Sequence, residues 1–116
     1  MKVWHLGMEI VDLLYKYLEG LPASENYNLK SQMSRSGVSI PSNIAEGSGR
    51  TGIKDQLKFF EYSLSSAFEL ETQSLICEKR KYGDLLILKE ILEKLDIEQK
   101  MLTGLNNKIR RENELS

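Results

Sequence analysis

The chain has 116 residues, 41% of them hydrophobic and 28% charged, with a formal net charge of −1. That is the composition of one globular domain with its own core, and it excludes both a disordered chain and a polycation that binds nucleic acid by bulk charge. A single cysteine, Cys77, excludes an internal disulfide and a cysteine-rich zinc site, and is expected to be a small buried hydrophobe.

The first helix is predicted over about residues 3–18, where Val3, Leu6, Ile10, Leu13 and Tyr17 recur at helical spacing and Trp4, Met8, Val11 and Leu18 widen the face. Gly20-Leu21-Pro22 stops it. The second is predicted over about residues 27–46, with Leu29, Met33, Gly37, Ile40 and Ile44 as its apolar line and Gly47, Ser48 and Gly49 at its exit. The third, over about residues 53–81, carries two adjoining stripes. One is Leu57, Phe60, Leu64, Phe68 and Leu75; the other is Phe59, Tyr62, Ser66, Leu70 and Cys77. Lys79, Arg80 and Lys81 crowd its carboxyl end, Gly83 is the expected stop, and Asp84 the next N-cap. The fourth is predicted over about residues 85–109. Leu85, Leu88, Leu92, Leu95, Leu102 and Ile109 form its seam, with Gln99 as the one polar member. The terminal RRENELS is charged and expected to fray.

No strand signal and no internal repeat interrupts this pattern. Four helices on short loops predict an all-α, antiparallel up-down-up-down four-helix bundle, a single domain over residues 1–116. Such a slim bundle leaves apolar side faces that further copies of the chain would cover. Glu9 and Asp12 break the only amino-terminal run that could act as a leader, and no apolar stretch is long enough to cross a bilayer, so no membrane partner and a cytoplasmic location are expected.

The segment SIPSNIAEGSGR, residues 39–50, departs from its surroundings. It puts a helix-breaking proline and several polar groups where a core helix should be. On a helix, Ser36, Ser39, Asn43 and Glu46 form a polar stripe beside the apolar line, and Glu71, Ser66 and Gln73 offer partners on the third helix. Buried polar groups persist only when paired, so Ser39, Asn43, Glu46 and Glu71 are expected to form a polar layer between the second and third helices. Pro41 clashes with the carbonyl of residue 37, where glycine eases the crowding. The expectation is a kinked but continuous helix, with a break at residues 39–41 as the alternative.

Catalytic chemistry finds little purchase. His5, the one histidine, lies at the extreme amino terminus, and no paired Glu-x-x-His motif is present for a di-iron centre. GSGRTG follows a helix rather than a strand and lacks the lysine of a phosphate-binding loop, so it reads as an inter-helix connection. No catalytic residue, metal or cofactor is expected. Charge is uneven: residues 30–58 carry a surplus of three positive charges, and the rest of the chain is negative. Arg35, Arg50, Lys54 and Lys58 are the candidate phosphate contacts, and a symmetric oligomer would repeat them around its axis.

Three segments, VWHLGMEIVDLLYKYLEGLP, LKSQMSRSGVSIPSNIAEGSGR and FFEYSLSSAFELETQ, resemble in that order the 23S rRNA intervening-sequence protein family, also called four-helix bundle proteins. The motif falls on Ser39, Ile40, Pro41, Asn43, Ile44, Ala45, Glu46 and Gly47, with Glu69 and Glu71 in the third-helix segment. The resemblance implies an antiparallel bundle, assembly as a ring-like homopentamer, and no enzymatic activity. It also implies kinship in fold with the accessory variability determinant of diversity-generating retroelements, a basic pentamer that binds nucleic acid and a reverse transcriptase. This chain departs from that relative in its sequence pI near 5.9. Two readings follow: a non-catalytic oligomeric accessory protein that binds RNA or DNA through its basic patch, or a structural ring that recruits a protein partner.

Overall fold

In the computed structural model, which describes residues 1–114, four helices follow one another: α1 (Lys2–Leu18), α2 (Leu29–Ser48), α3 (Ile53–Arg80) and α4 (Leu85–Glu112). A 3-10 turn at Ala23–Glu25 bridges α1 and α2. Consecutive helices pack together and α4 closes on α1, so the four form a square, 48 × 22 × 21 Å, in which no diagonal pair of backbones comes close among the described residues. This is the all-α antiparallel four-helix bundle the spacing predicts. No helix among the described residues is long and apolar enough to cross a membrane.

The core runs the length of the square. Ile10, Leu14 and Tyr17 of α1 meet Met33, Ile40 and Ile44 of α2, Phe60 and Leu70 of α3, and Leu88, Ile91, Leu95 and Leu102 of α4. Tyr17 is wholly buried, and its hydroxyl donates to the Tyr82 carbonyl at 2.6 Å, tying α1 to the α3–α4 turn. Burial pushes its phenol above the ordinary tyrosine range. Asp84 caps α4 as expected, accepting from the Leu86 and Ile87 amides at 2.9 and 3.2 Å.

α2 runs unbroken through Pro41, so the alternative of two shorter helices does not hold. Gly37 has a second reason to be glycine besides the proline. A Cβ there would collide with the Leu14 side chain, which packs from α1 into the space that glycine leaves open. Gly47 does the same for α3, since its Cβ would stand 2.8 Å from the Phe60 ring. The glycine-rich exit of α2 is thus a packing feature before it is a turn.

The structure differs from expectation at two helix ends and on one helix face. α3 ends at Arg80 with Lys81 in the left-handed conformation (φ 57°), and Gly83 (φ 71°) belongs to the following turn. α4 continues to Glu112 before the chain leaves the helix, while the last two residues of RRENELS lie outside the described residues. The face is that of α3, which turns the small residues Ser63, Ala67 and Ser74 inward and leaves Tyr62, Phe68 and Leu75 about half exposed.

Candidate functional site

The polar face of α2 meets α3 in a ladder of hydrogen bonds. Ser36 Oγ donates to Gln73 Oε1 at 2.7 Å, both side chains buried. One turn further, Ser66 Oγ donates to Ser39 Oγ at 2.9 Å. The Asn43 amide donates to both Ser39 Oγ (2.7 Å) and the Ser39 carbonyl (2.9 Å). Ser63 Oγ completes the ladder by donating to the Ile40 carbonyl at 2.8 Å, beside Pro41. These groups satisfy one another, as burial requires.

Two of the four residues expected in this layer lie elsewhere. Glu46 is exposed on the far side of the last turn of α2, 3.6 Å from Arg50. Glu71 is half-buried on α3 and hydrogen-bonds to neither Ser39 nor Asn43. Ser36, Ser63 and Gln73 stand in their place. Ser36 and Gln73 were legible as polar partners in the sequence; Ser63 was not, because a lone serine inside an apolar run carries no periodic signal.

Above the ladder lies an open polar groove of about 440 Å³, lined by Gln32, Arg35, Ser39, Ser66 and Glu69 among others. Arg35 belongs to this groove. Thirteen residues of helix, about 20 Å at 1.5 Å per residue, carry α2 from Arg35 to its end at Ser48, two residues before Arg50, so Arg35 does not join the basic cluster at the α2–α3 turn.

That cluster is close-knit. Arg50 lies 3.6 Å from Glu46 and 3.6 Å from Asp55, and Lys58 is 3.1 Å from Asp55. Arg50 and Lys58 both cover the Phe59 ring, 4.6 and 5.1 Å from its centroid. Lys54 is exposed. Two of the three cations are therefore already matched to carboxylates, which leaves little net positive charge on this surface.

Sequence reasoning missed the most unusual residue. Glu98 is wholly buried on α4, and neither carboxyl oxygen has a hydrogen-bond partner among the described residues. Oε2 presses on Gly7 of α1, where a Cβ would be 3.0 Å away, and Ile40 and Pro41 of α2 ring the same spot at 3.4 Å. Desolvation by burial lifts the carboxyl from 4.5 to about 8. A heptad reading of α4 puts Leu92 on the seam, but the helix turns Ile91, Glu98 and Asn106 inward, and Leu85 stays 45% exposed. Cys77 is buried as expected, 3.7 Å from the Met33 sulfur, and burial pushes its thiol up.

An antiparallel helical square with a hydrogen-bonded α2–α3 seam defines a four-helix bundle protein built for packing. The family described as 23S rRNA-intervening sequence protein matches residues 1–104, and the chain belongs to it. Among solved structures, a protein of unknown function from the S23 ribosomal protein family of Bacteroides thetaiotaomicron is similar, with a TM-score of 0.81 at 21% identity. The match covers 90% of this chain and 97% of that one, and it shows the shared fold. No curated protein matches.

Proposed function

We propose that the protein is a non-catalytic accessory protein that works as a ring of identical copies and presents a scaffold surface to a protein partner. The observation that carries this reading is the placement of apolar surface on opposite edges of the square. On the α1/α2 edge, Trp4, Met8, Val11, Val38, Pro41 and Ala45 line a groove of about 300 Å³. On the α3/α4 edge, Phe68 and Leu75 are 49% and 44% exposed, and Phe68 borders a second groove beside Gln99 and Gly104. Two different apolar patches on opposite sides suit head-to-tail contacts, which close into rings. Five copies is the number the family resemblance implies. A buried, protonated Cys77 supports the non-catalytic part, since the thiolate is the reactive form.

Nucleic-acid binding is the second reading, favoured by the cations that bracket an aromatic ring at Arg50, Lys58 and Phe59, with Lys54 beside them. The ion pairs to Glu46 and Asp55 weaken it, because a phosphate would have to displace them.

One experiment separates the readings. Native mass spectrometry of wild type and of Phe68→Glu gives the copy number, and fluorescence titration with structured RNA and duplex DNA at low and near-physiological salt gives the ligand. The scaffold reading expects a defined ring that Phe68→Glu breaks into monomers, with no nucleic-acid affinity beyond weak low-salt binding. A monomeric wild type overturns it. Tight binding that falls steeply with salt and is lost on charge reversal of Lys54 and Lys58 transfers the assignment to the second reading.

A further inference from the structure

A buried carboxyl with no partner is a costly feature, and its surroundings determine what it can do. From α2, Ile40 and Pro41 border the same spot beside Gly7, and neither titrates. The buried residues of α3 include no charged side chain. α1 contributes Gly7 at the contact itself, with His5 and Glu9 on either side of it in sequence, both exposed. On α4, the cation one turn before Glu98 is Lys94, whose side chain is only 28% exposed. Lys94 Nζ lies 3.3 Å from Glu9 Oε2, so this pair ties α4 to α1 one turn from Glu98 on one helix and two residues from Gly7 on the other.

We propose that Glu98, Lys94 and Glu9 form a proton-controlled latch between α4 and α1. With Glu98 neutral, the carboxyl fills the space that Gly7 leaves open, and Lys94 is free to hold Glu9. When Glu98 gives up its proton to solvent, the new carboxylate sits among apolar groups with nothing to offset its charge. Lys94, four residues before it on the same helix, is the partner that helix geometry provides. Pairing with Glu98 withdraws Lys94 from Glu9, and the charged carboxylate turns out toward the α1–α4 surface. The seam at Gly7 then loses both its filler and its tie. A carboxyl lifted to about 8 places this change near neutral to mildly alkaline pH.

The chain carries its own reporter. Trp4 is the only tryptophan and lies one turn before Gly7 on α1, packed at the margin of the core. His5 stacks edge-on against it with ring centroids 5.0 Å apart, so the test is run in a His5→Gln background to remove quenching by that ring. Acrylamide quenching of Trp4 is followed from about pH 6 to about pH 9, with helicity recorded in parallel by circular dichroism. The expected result is a rise in quenching with a midpoint near pH 8 while helicity stays constant. Glu98→Gln should abolish the transition. Lys94→Met should move its midpoint up by about one unit, because the ionised carboxylate then has no partner. The proposal is overturned if wild type shows no transition, if the transition persists in Glu98→Gln, or if Lys94→Met leaves the midpoint in place. Should Glu98→Gln fail to fold, the Lys94→Met shift alone decides.

Discussion

Replacing Glu98 with glutamine should make the protein more stable at pH 8 and not at pH 4. The unfolded chain ionises this carboxyl above about 4.5, whereas the folded chain keeps its proton until about pH 8. Between those values the folded state binds the extra proton, so stability falls as pH rises, by about 1.4 kcal/mol per unit. Below the lower value both states are protonated and nothing is lost. Above the upper value both are ionised, and the full penalty, about 5 kcal/mol, stays constant. That is a large share of the roughly 5–15 kcal/mol by which domains are stable. Glutamine keeps the shape but cannot ionise, and its unpaired buried amide costs about 1–3 kcal/mol at every pH. The net expectation is a variant about 1–3 kcal/mol more stable than wild type at pH 8, where the folded carboxyl is half ionised, and about 1–3 kcal/mol less stable at pH 4, with the curves crossing between. Urea unfolding at fixed protomer concentration, repeated across that range, measures the difference directly, and the other titrating groups cancel in it. A difference that stays flat with pH, or a wild type that is the more stable at pH 8, would refute the reasoning.

Gly37→Ala should destabilise by about 1–3 kcal/mol, despite the roughly 1 kcal/mol that alanine gains in helix propensity, because its Cβ must displace the wholly buried Leu14; a raised melting temperature would contradict that close approach. Asn43→Leu should lower stability by about 1 kcal/mol by removing both bonds to Ser39, whereas Glu46→Ala, which loses only an exposed ion pair to Arg50, should stay within about 0.5 kcal/mol. Thermal melts of the two variants side by side check the order, and a greater loss at Glu46 would reverse the assignment of the polar layer.

The helices were legible because their stops are chemical: Gly20 and Pro22, the glycines after Glu46, and Asp84 as a cap each leave a local mark. The core of α2 was legible because Leu29, Met33, Gly37, Ile40 and Ile44 form a single apolar line at helical spacing, and all five are buried. α3 and α4 were read less well. Both offer more apolar residues than one face can bury, so periodicity alone does not say which stripe wins. In α3 the hydrogen bonds of Ser63 and Ser66 to α2 decide it, and in α4 the gap at Gly7 accepts Glu98. Neither is local in sequence. Arg50 and Lys58 meet at the Phe59 ring, and their pairing with Glu46 and Asp55 depends on how the α2–α3 turn folds, which charge totals along the chain do not show.

The outcome in α3 explains why the SIPSNIAEG stretch is polar in the middle of a bundle. Apolar stripes alone fix neither the rotation nor the axial register of a helix, because one large side chain fills a gap nearly as well as another. Hydrogen bonds from Ser36 to Gln73, from Ser66 to Ser39 and from Ser63 to the Ile40 carbonyl do fix them, since a slip by one residue leaves buried groups unpaired. With that register set, Ser63, Ala67 and Ser74 point inward while Phe68 and Leu75 point out. Large apolar groups on the surface with small ones beneath them are a poor solution for a free-standing domain and a good one for a domain covered by its neighbours. The polar motif and the exposed apolar edge are thus two sides of one choice of helix rotation. If the proposed ring forms, weakening the ladder should disturb its assembly as well as folding.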